Sequence, residues 1–146
     1  MVEYVQTHFA DKNIIIDKRI QDGCSRRRPD ILLDLGYQVI VIEVDENQHE
    51  SYDCLCENKR IMEISQDAGH RPIVFIRFNP DDYLDNENIN VTSCWGTDNR
   101  GICCVKKSKI KEWGKRLHTL QETIDYWMIN KSHKTVEIIQ LFYDQV

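Results

Sequence analysis

The sequence predicts a single α/β domain in which a mixed β-sheet is covered by helices on both faces. The first observation behind this prediction is that short apolar runs typical of strands alternate with segments of helical periodicity. The second is that 146 residues with 41% hydrophobic content are enough for one domain with its own core. The third is the absence of repeats and low-complexity stretches, which excludes disordered and fibrous classes.

The first half of the chain is predicted to form a helix followed by three strands. Apolar residues at helical spacing predict the helix over residues 1–10; they are Val2, Val5 and Phe9. The run NIII predicts a strand over residues 13–19, and Gly23 marks the turn after it. Two further strands are predicted over residues 29–35 and 38–45.

The connection between these two strands is the dipeptide Gly36-Tyr37. A two-residue connection with glycine in first position is typical of a type II′ β-hairpin. Centring the turn on this dipeptide sets the register of the hairpin. The predicted facing pairs are Asp34 with Val39, Leu32 with Val41, and Asp30 with Glu43.

The middle of the chain is predicted to contain a helix, a strand and a long polar segment. Helical spacing of apolar residues predicts a helix over residues 53–68, ended by Gly69. The run RPIVFIRF predicts a strongly apolar strand over residues 71–78. Residues 80–107 form a polar excursion to which no strand is assigned. The predicted core of the domain therefore spans about residues 13–79.

The last part of the chain, residues 108–144, is predicted to add a helix and a strand. Steps of three and four residues predict the helix from Ser108 to about Ile129. The apolar residues at these steps are Ile110, Trp113, Leu117, Leu120, Ile124 and Trp127. Residues 135–143 predict the final strand.

Compartment and membrane association follow from what the sequence lacks. The longest strongly apolar runs, such as residues 39–42, are far shorter than the ~18 residues of a membrane span. The N-terminal segment has neither a basic region nor an apolar core, so no secretory signal is predicted. We therefore expect an intracellular protein, cytoplasmic or nuclear, that is not secreted and has no membrane partner.

Acidic side chains gather on one face of the predicted hairpin. Side chains alternate along a strand, so Asp30, Glu43 and Asp45 project to the same side. Facing Cβ atoms lie ~5 Å apart, which lets two carboxylates meet on one cation. Such a cation relieves their repulsion, and hard oxygen donors favour Mg²⁺ or Mn²⁺. The alternative is that these acids are surface residues at strand ends that do not converge.

His49, just beyond the strand, is either a proton acceptor beside this site or an ordinary surface histidine.

A larger pattern surrounds these acids. The string RRPDILLDLGYQVIVIEVDENQH, followed by CENKR and HRPIVFIRF, resembles the PD-(D/E)xK nuclease superfamily, in particular its very-short-patch-repair-like branch and the homing-endonuclease relatives. The matching residues are Asp30, Glu43-Val44-Asp45, His49, Arg60 and Arg77-Phe78. The resemblance covers about residues 14–79. The part after it resembles relatives in large DNA viruses, so a virus-encoded protein is one expectation.

The resemblance implies a restriction-endonuclease-like fold and a metal-dependent DNA endonuclease that hydrolyses phosphodiester bonds. Asp30 and Glu43 would hold Mg²⁺ or Mn²⁺, with the Val44 carbonyl contributing. Asp45 would be a further ligand or would orient the attacking water, and His49 would act as general base or stabilise the phosphate. Some relatives also use a glutamate of the N-terminal helix, and Glu3 matches it.

The sequence departs from the family pattern two residues after Glu43. The family has a lysine there, where this chain has Asp45. His49, Lys59 or Arg60 could substitute for it, or the domain could be a catalytically inactive DNA-binding module of the same fold.

Cysteine usage leaves two interpretations open. Very-short-patch-repair enzymes carry a structural zinc near this region, and the corresponding candidates are Cys54, Cys56, Cys94 and Cys103. The spacing differs from paired CxxC motifs, so free thiols are the other interpretation. If zinc is bound and the carboxylates are incidental, the chain would be a zinc-stabilised interaction protein.

The expected partner is DNA, although the net charge is −5. Arg26, Arg27 and Arg28 run directly into Asp30, where a phosphodiester backbone would pass, and Lys59 and Arg60 are further candidates. Trp95 and Arg100 are candidates for contacts with bases, and the alternative for Trp95 is packing within the excursion. The basic stretch 105–116 is either a second backbone contact or a helix start with solvated lysines. Whether the protein is a monomer or a homodimer stays open.

Overall fold

The computed structural model describes most of the chain, with gaps between the elements. The described ranges are residues 1–9, 13–16, 31–44, 61–62, 65–66, 69–97, 99–101 and 103–144.

The first two elements are helix α1, Val2–His8, and strand β1, Asn13–Ile16. The predicted N-terminal helix is confirmed. Val5 and Phe9 are buried because they face the core. The predicted first strand is confirmed as far as Ile16, and its remainder lies outside the described residues.

Strands β2, Ile31–Asp34, and β3, Val39–Val44, form the predicted hairpin. They pair antiparallel, and two of the predicted facing pairs are confirmed. The four observed pairs are Ile31 with Ile42, Leu32 with Val41, Leu33 with Ile40, and Asp34 with Val39.

The turn of this hairpin has the expected geometry. Leu35 donates its backbone N–H to the Gln38 carbonyl at 3.0 Å, which leaves two residues in the loop. Gly36 has a φ of +87°, whereas Tyr37 is not among the described residues with a left-handed φ. A positive φ at the first loop position only is what distinguishes type II′ from type I′.

The predicted helix before residue 70 is described only in part. Residues 61, 62, 65 and 66 are helical, and the rest of the predicted range 53–68 lies outside the described residues. Gly69 donates its N–H to the Gln66 carbonyl, and His70 donates to that of Ser65, both at 3.0 Å. Both residues have a positive φ, so the helix ends at Gly69 as predicted. Strand β4, Ile73–Phe78, follows.

The polar excursion contains more regular structure than the sequence indicated. It forms two small antiparallel hairpins, the first from β5, Tyr83–Leu84, and β6, Asn90–Val91. The second consists of β7, Trp95–Thr97, and β8, Cys103–Val105. Strands of two or three residues are too short to show a periodic pattern, so the sequence could not reveal them.

Side-chain hydrogen bonds hold this excursion in place. Asn79 donates from its amide to the carbonyls of Asp82 and Phe142, at 3.2 and 2.9 Å. Its side-chain oxygen accepts the N–H of Asp81 at 3.0 Å. Asp82 in turn accepts the N–H of Ser93 at 2.6 Å. Short polar side chains thus fix much of the backbone of the excursion.

The last elements are a 3₁₀ turn, Lys107–Lys109, helix α2, Ile110–Ile129, and strand β9, Val136–Leu141. The predicted long helix is confirmed within two residues at its start. Leu117, Leu120 and Ile124 form its buried stripe.

The central sheet has five strands in the order β1-β2-β3-β4-β9. The first three strands pair antiparallel, while β3 with β4 and β4 with β9 pair parallel. The mixed sheet expected from the order of segments is therefore confirmed. The ends of β3, β4 and β9 define what we call the carboxyl edge of the sheet, formed by Val44, Phe78 and Leu141.

Alternation along the strands produces two different faces. The helix face packs under α1 and α2 and contains Ile31, Leu33, Ile40, Ile42, Val74, Ile76 and Phe78. The opposite face contains Leu32, Val39, Val41, Ile73 and Phe75, and Ile61 from the partly described helix packs against it. Both faces are thus covered by helical residues, as the sequence predicted.

One member of the basic stretch 105–116 is wrongly grouped with solvated lysines. Arg116 is fully buried. Its guanidinium donates to the carbonyls of Asn79 and Asp81, both at 3.0 Å, and of Thr92 at 3.2 Å. Its Nε also bonds Glu112 at 3.3 Å. Arg116 is one helical step before Leu117 and so falls within the buried stripe, which charge pattern alone does not reveal.

Two glycines offer a matched test of the backbone. Gly36→Ala is expected to destabilise the protein by ~1–2 kcal/mol, because an L-residue is strained at a left-handed φ. Gly114→Ala is expected to stabilise it by ~0.5–1 kcal/mol, because Gly114 lies in the middle of α2 and a Cβ there meets no atom within 4 Å. Urea unfolding of both variants measures the two shifts. Shifts of the same sign would contradict the assigned turn.

Candidate functional site

The candidate site is built on the β2–β3 hairpin at the carboxyl edge. The last described pair before that edge is Ile31 with Ile42, and Glu43 follows in β3. Glu43 alternates with Val39 and Val41, so its side chain lies on the opposite face rather than under α1 and α2. It is only 3% exposed. A nearly buried carboxylate thus lies one residue before the end of an otherwise apolar strand, where a buried charge requires a partner.

A basic residue lies beside Glu43 on the next strand. The parallel pairing of β3 with β4 makes Arg77 the Cα partner of Glu43, so both side chains project to the same face. The Arg77 guanidinium lies over the Phe75 ring, 5.3 Å from its centroid. A positive charge therefore lies on the neighbouring strand, on the face from which Glu43 projects. The sequence predicts Arg77 near a strand end but does not indicate that it neighbours Glu43.

Most of the other predicted site residues lie outside the described residues. They are the acids and histidine Asp30, Asp45 and His49, the thiols Cys54 and Cys56, and the basic residues Arg26, Arg27, Arg28, Lys59 and Arg60. Their predicted roles stay predictions. Val44, whose carbonyl was a predicted ligand, is the last residue of β3 and is partly exposed.

Glu3, the acid suggested by the N-terminal helix, does not share this location. It is exposed on α1, which packs on the helix face of the sheet through Val5. The side chain of Glu43 projects from the other face. The structure therefore does not bring Glu3 to Glu43.

The excursion cysteines have distinct environments. Cys94 is fully buried, and burial raises the pKa of its thiol. It accepts a backbone hydrogen bond from Lys106 at 2.9 Å, next to the Trp95–Val105 end of the β7–β8 hairpin. Cys103 pairs with Thr97 at the other end of that hairpin. Cys94 and Cys104 are free thiols.

The described ranges contain no group of three His, Cys, Asp or Glu side chains placed to hold a metal ion. Four of the predicted magnesium and zinc ligands, Asp30, Asp45, Cys54 and Cys56, lie outside those ranges. The metal predictions are therefore not decided by the described residues.

The opposite end of the hairpin contains a second acid–base pair. Arg71 donates to both carboxylate oxygens of Asp34, at 2.6 and 3.1 Å, and to the Gly36 carbonyl at 3.0 Å. The Arg71 hydrogen bond, followed by that from the Gly36 N–H, lowers the pKa of Asp34. Asp34 thus holds the turn in place through its bonds to Arg71 and to the Gly36 N–H.

The two tryptophans near the excursion contact each other. Trp95 and Trp113 have ring centroids 5.7 Å apart, and both are partly buried. This contact favours packing within the excursion over base contact for Trp95. Trp113 also meets Phe78 edge to face at 5.6 Å. The first turns of α2 are therefore anchored at the carboxyl edge, beside the end of β4.

Gln38 anchors the other end of α2. This buried residue bonds the carbonyls of Trp127 and Asn130 and accepts the N–H of Ser132. The helix α2 therefore begins at the carboxyl edge of the sheet and ends near the turn of the β2–β3 hairpin.

Comparison with known proteins assigns no family or function to the chain. None of the described helices is long and apolar enough to cross a membrane. The chain matches no model of a protein family, no curated protein and no solved structure.

Proposed function

We propose that the protein is a metal-dependent DNA endonuclease with a restriction-endonuclease-like fold. Its reaction would be hydrolysis of phosphodiester bonds at the carboxyl edge of the sheet. The proposal rests on the sequence pattern around Glu43 and on the surroundings of that residue.

The observation that carries the proposal is the register of the hairpin. Ile31 faces Ile42, and in the sequence Asp30 precedes Ile31 while Glu43 follows Ile42. One more antiparallel pair in the same register would be Asp30 with Glu43. Two carboxylates so close would repel each other unless a cation lay between them.

The donor chemistry of these residues fits a hard divalent ion. Glu43 supplies carboxylate oxygens at a nearly buried position, as the ligands of such ions commonly do. Asp30, Glu43 and Asp45 would hold Mg²⁺ or Mn²⁺, together with the Val44 carbonyl. When bound, such an ion lowers the pKa of water and neutralises charge on the scissile phosphate.

Proton transfer and charge stabilisation would be carried out by side chains of the protein. His49 would accept the proton of the attacking water, because an imidazole titrates near neutral pH. Arg77, next to Glu43 on the same face, adds a positive charge beside the proposed site, where the phosphate would lie. His49, Lys59 or Arg60 would take the role of the lysine that the family has in place of Asp45.

A catalytically inactive DNA-binding module is the second candidate, and the position of Arg77 favours it. A guanidinium on the neighbouring strand can compensate the charge of Glu43 without any metal. The site would then be structural, and the basic residues alone would bind DNA.

Incubation of supercoiled plasmid with the purified protein tests the proposal. Nicked or linear product is expected with Mg²⁺ or Mn²⁺, and none with EDTA. DNA binding without cleavage under any of these conditions would support the inactive module and contradict the endonuclease.

A further inference from the structure

Five lysines cluster at the start of α2. We call this cluster the lysine surface, and its members are Lys106, Lys107, Lys109, Lys111 and Lys115. We propose that the lysine surface binds the phosphodiester backbone of duplex DNA. The choice of DNA as partner rests on the proposed function.

The charge of this surface is not compensated locally. The single acid within residues 106–116 is Glu112, which bonds the buried Arg116. In the described part of the chain, the five lysine ammonium groups take part in no ion pair or hydrogen bond. Four of the side chains are exposed and that of Lys109 is partly exposed. The ammonium groups are therefore available to an external anion.

The position of these cations is unfavourable for the helix itself. Positive charge at a helix N-terminus opposes the macrodipole, at a cost of ~0.3–1 kcal/mol per residue. The 3₁₀ turn and the first turn of α2 contain Lys107, Lys109 and Lys111. Local stability thus does not explain the cluster, whereas attraction of a polyanion does.

Spacing along the helix suits a chain of phosphates. Lys111 and Lys115 are four residues apart within α2, which aligns them on one side with roughly 6 Å between them, and Lys107 lies in the 3₁₀ turn directly before them. His118 is the next residue on that side and forms an ion pair with Glu122 at 2.7 Å. The row of uncompensated cations therefore ends at Lys115.

Lys106 is held against the neighbouring hairpin. Its N–H donates to the Cys94 carbonyl at 2.9 Å. Its stem lies so close to Gly96 that a Cβ there would be 3.1 Å from Cγ and Cε of the lysine. Restricting this side chain before binding lowers the entropy that is lost on contact with a phosphate.

The lysine surface and Glu43 lie at the same edge of the sheet. Arg116 bonds the carbonyl of Asn79, which directly follows β4, and Trp113 packs on Phe78. Arg77, the Cα partner of Glu43, directly precedes Phe78 at the end of β4. A duplex bound along the lysines would therefore lie near the carboxyl edge on the helix face, whereas Glu43 projects from the opposite face, so reaching the proposed site requires DNA that crosses this edge.

A membrane surface fits these observations less well than DNA. A membrane-binding helix needs an apolar face that is free to enter the lipid. The apolar stripe of α2 is already buried against the sheet, and Ile110 is the exposed apolar side chain among the lysines. Anionic lipid vesicles therefore serve as a control.

The test compares two double variants that change the charge equally at opposite ends of α2. These are Lys111→Gln with Lys115→Gln, and Lys131→Gln with Lys134→Gln. Binding of a short fluorescent DNA duplex is measured in EDTA over a range of salt concentrations, so that cleavage cannot interfere. Thermal unfolding confirms that both variants are folded.

We expect the first double variant to weaken binding about tenfold or more and to reduce the salt slope of log K by about two. The second should leave both values close to the wild type. Equal effects of the two variants, no effect of the first, no binding by the wild type, or equally tight binding to anionic vesicles would each overturn the inference.

These outcomes are separate from those of the proposed function. Lysine-dependent binding by a protein that cleaves no DNA with Mg²⁺ or Mn²⁺ would overturn the endonuclease and leave the lysine surface standing. Metal-dependent cleavage by a protein whose DNA binding is unchanged by the Lys111 and Lys115 substitutions would support the endonuclease and overturn the lysine surface.

Discussion

Arg116→Met is expected to destabilise the protein by about 3–5 kcal/mol, the range found when one partner of a buried charged network is removed. The methionine fills similar space but donates no hydrogen bond. The carbonyls of Asn79, Asp81 and Thr92 would lose their donor, and Glu112 its counter-charge. The stacking of the guanidinium on the rings of Tyr83 and Phe142, at 5.1 and 5.2 Å, would also be lost.

Thermal unfolding followed by circular dichroism measures this effect. A decrease of the midpoint by roughly 10–20 °C is expected for Arg116→Met. Lys115→Met is the matched control, since the neighbouring side chain is exposed, and its effect should stay within about 0.5 kcal/mol. Equal midpoints for the two variants would show that Arg116 does not hold the excursion in place.

Glu43→Gln is expected to reduce metal-dependent DNA cleavage on the order of 10³-fold, since a metal ion contributes several kcal/mol to transition-state stabilisation. The amide keeps the shape of the side chain and removes the charge that would hold the ion. DNA binding in EDTA should change little, because Glu43 is nearly buried and does not belong to the lysine surface.

Asp34→Asn is the matched control for Glu43→Gln. Asp34 is on the same hairpin and the same face, but it lies at the turn end, where it bonds Arg71. The control should lose some stability and retain cleavage. Plasmid cleavage rates of the two variants, normalised to folded protein, decide the matter. Wild-type cleavage by Glu43→Gln would remove Glu43 from the proposed site.

The hairpin shows how far local sequence signals reach. Gly36 can adopt the positive φ of the turn, and alternation then places every second residue on one face. The register therefore followed from residues 34–39 alone. The long helix was equally accessible, because its apolar steps are a property of consecutive residues.

The register of the parallel strands could not be predicted in the same way. No tight turn joins β3 to β4, so nothing in the sequence sets the offset between them. That offset makes Arg77 the neighbour of Glu43. Only the tertiary structure could show that the candidate carboxylate has a cation beside it.

The sequence by itself determined the elements, the hairpin register and the face on which Glu43 lies, because each depends on interactions between near neighbours in the chain. The tertiary structure alone decided which charges are surface charges. Arg116 and Lys115 are adjacent and both basic, yet the first is buried by carbonyls up to 37 residues away and the second is exposed. Burial depends on contacts between distant segments, and a charge pattern contains no record of them.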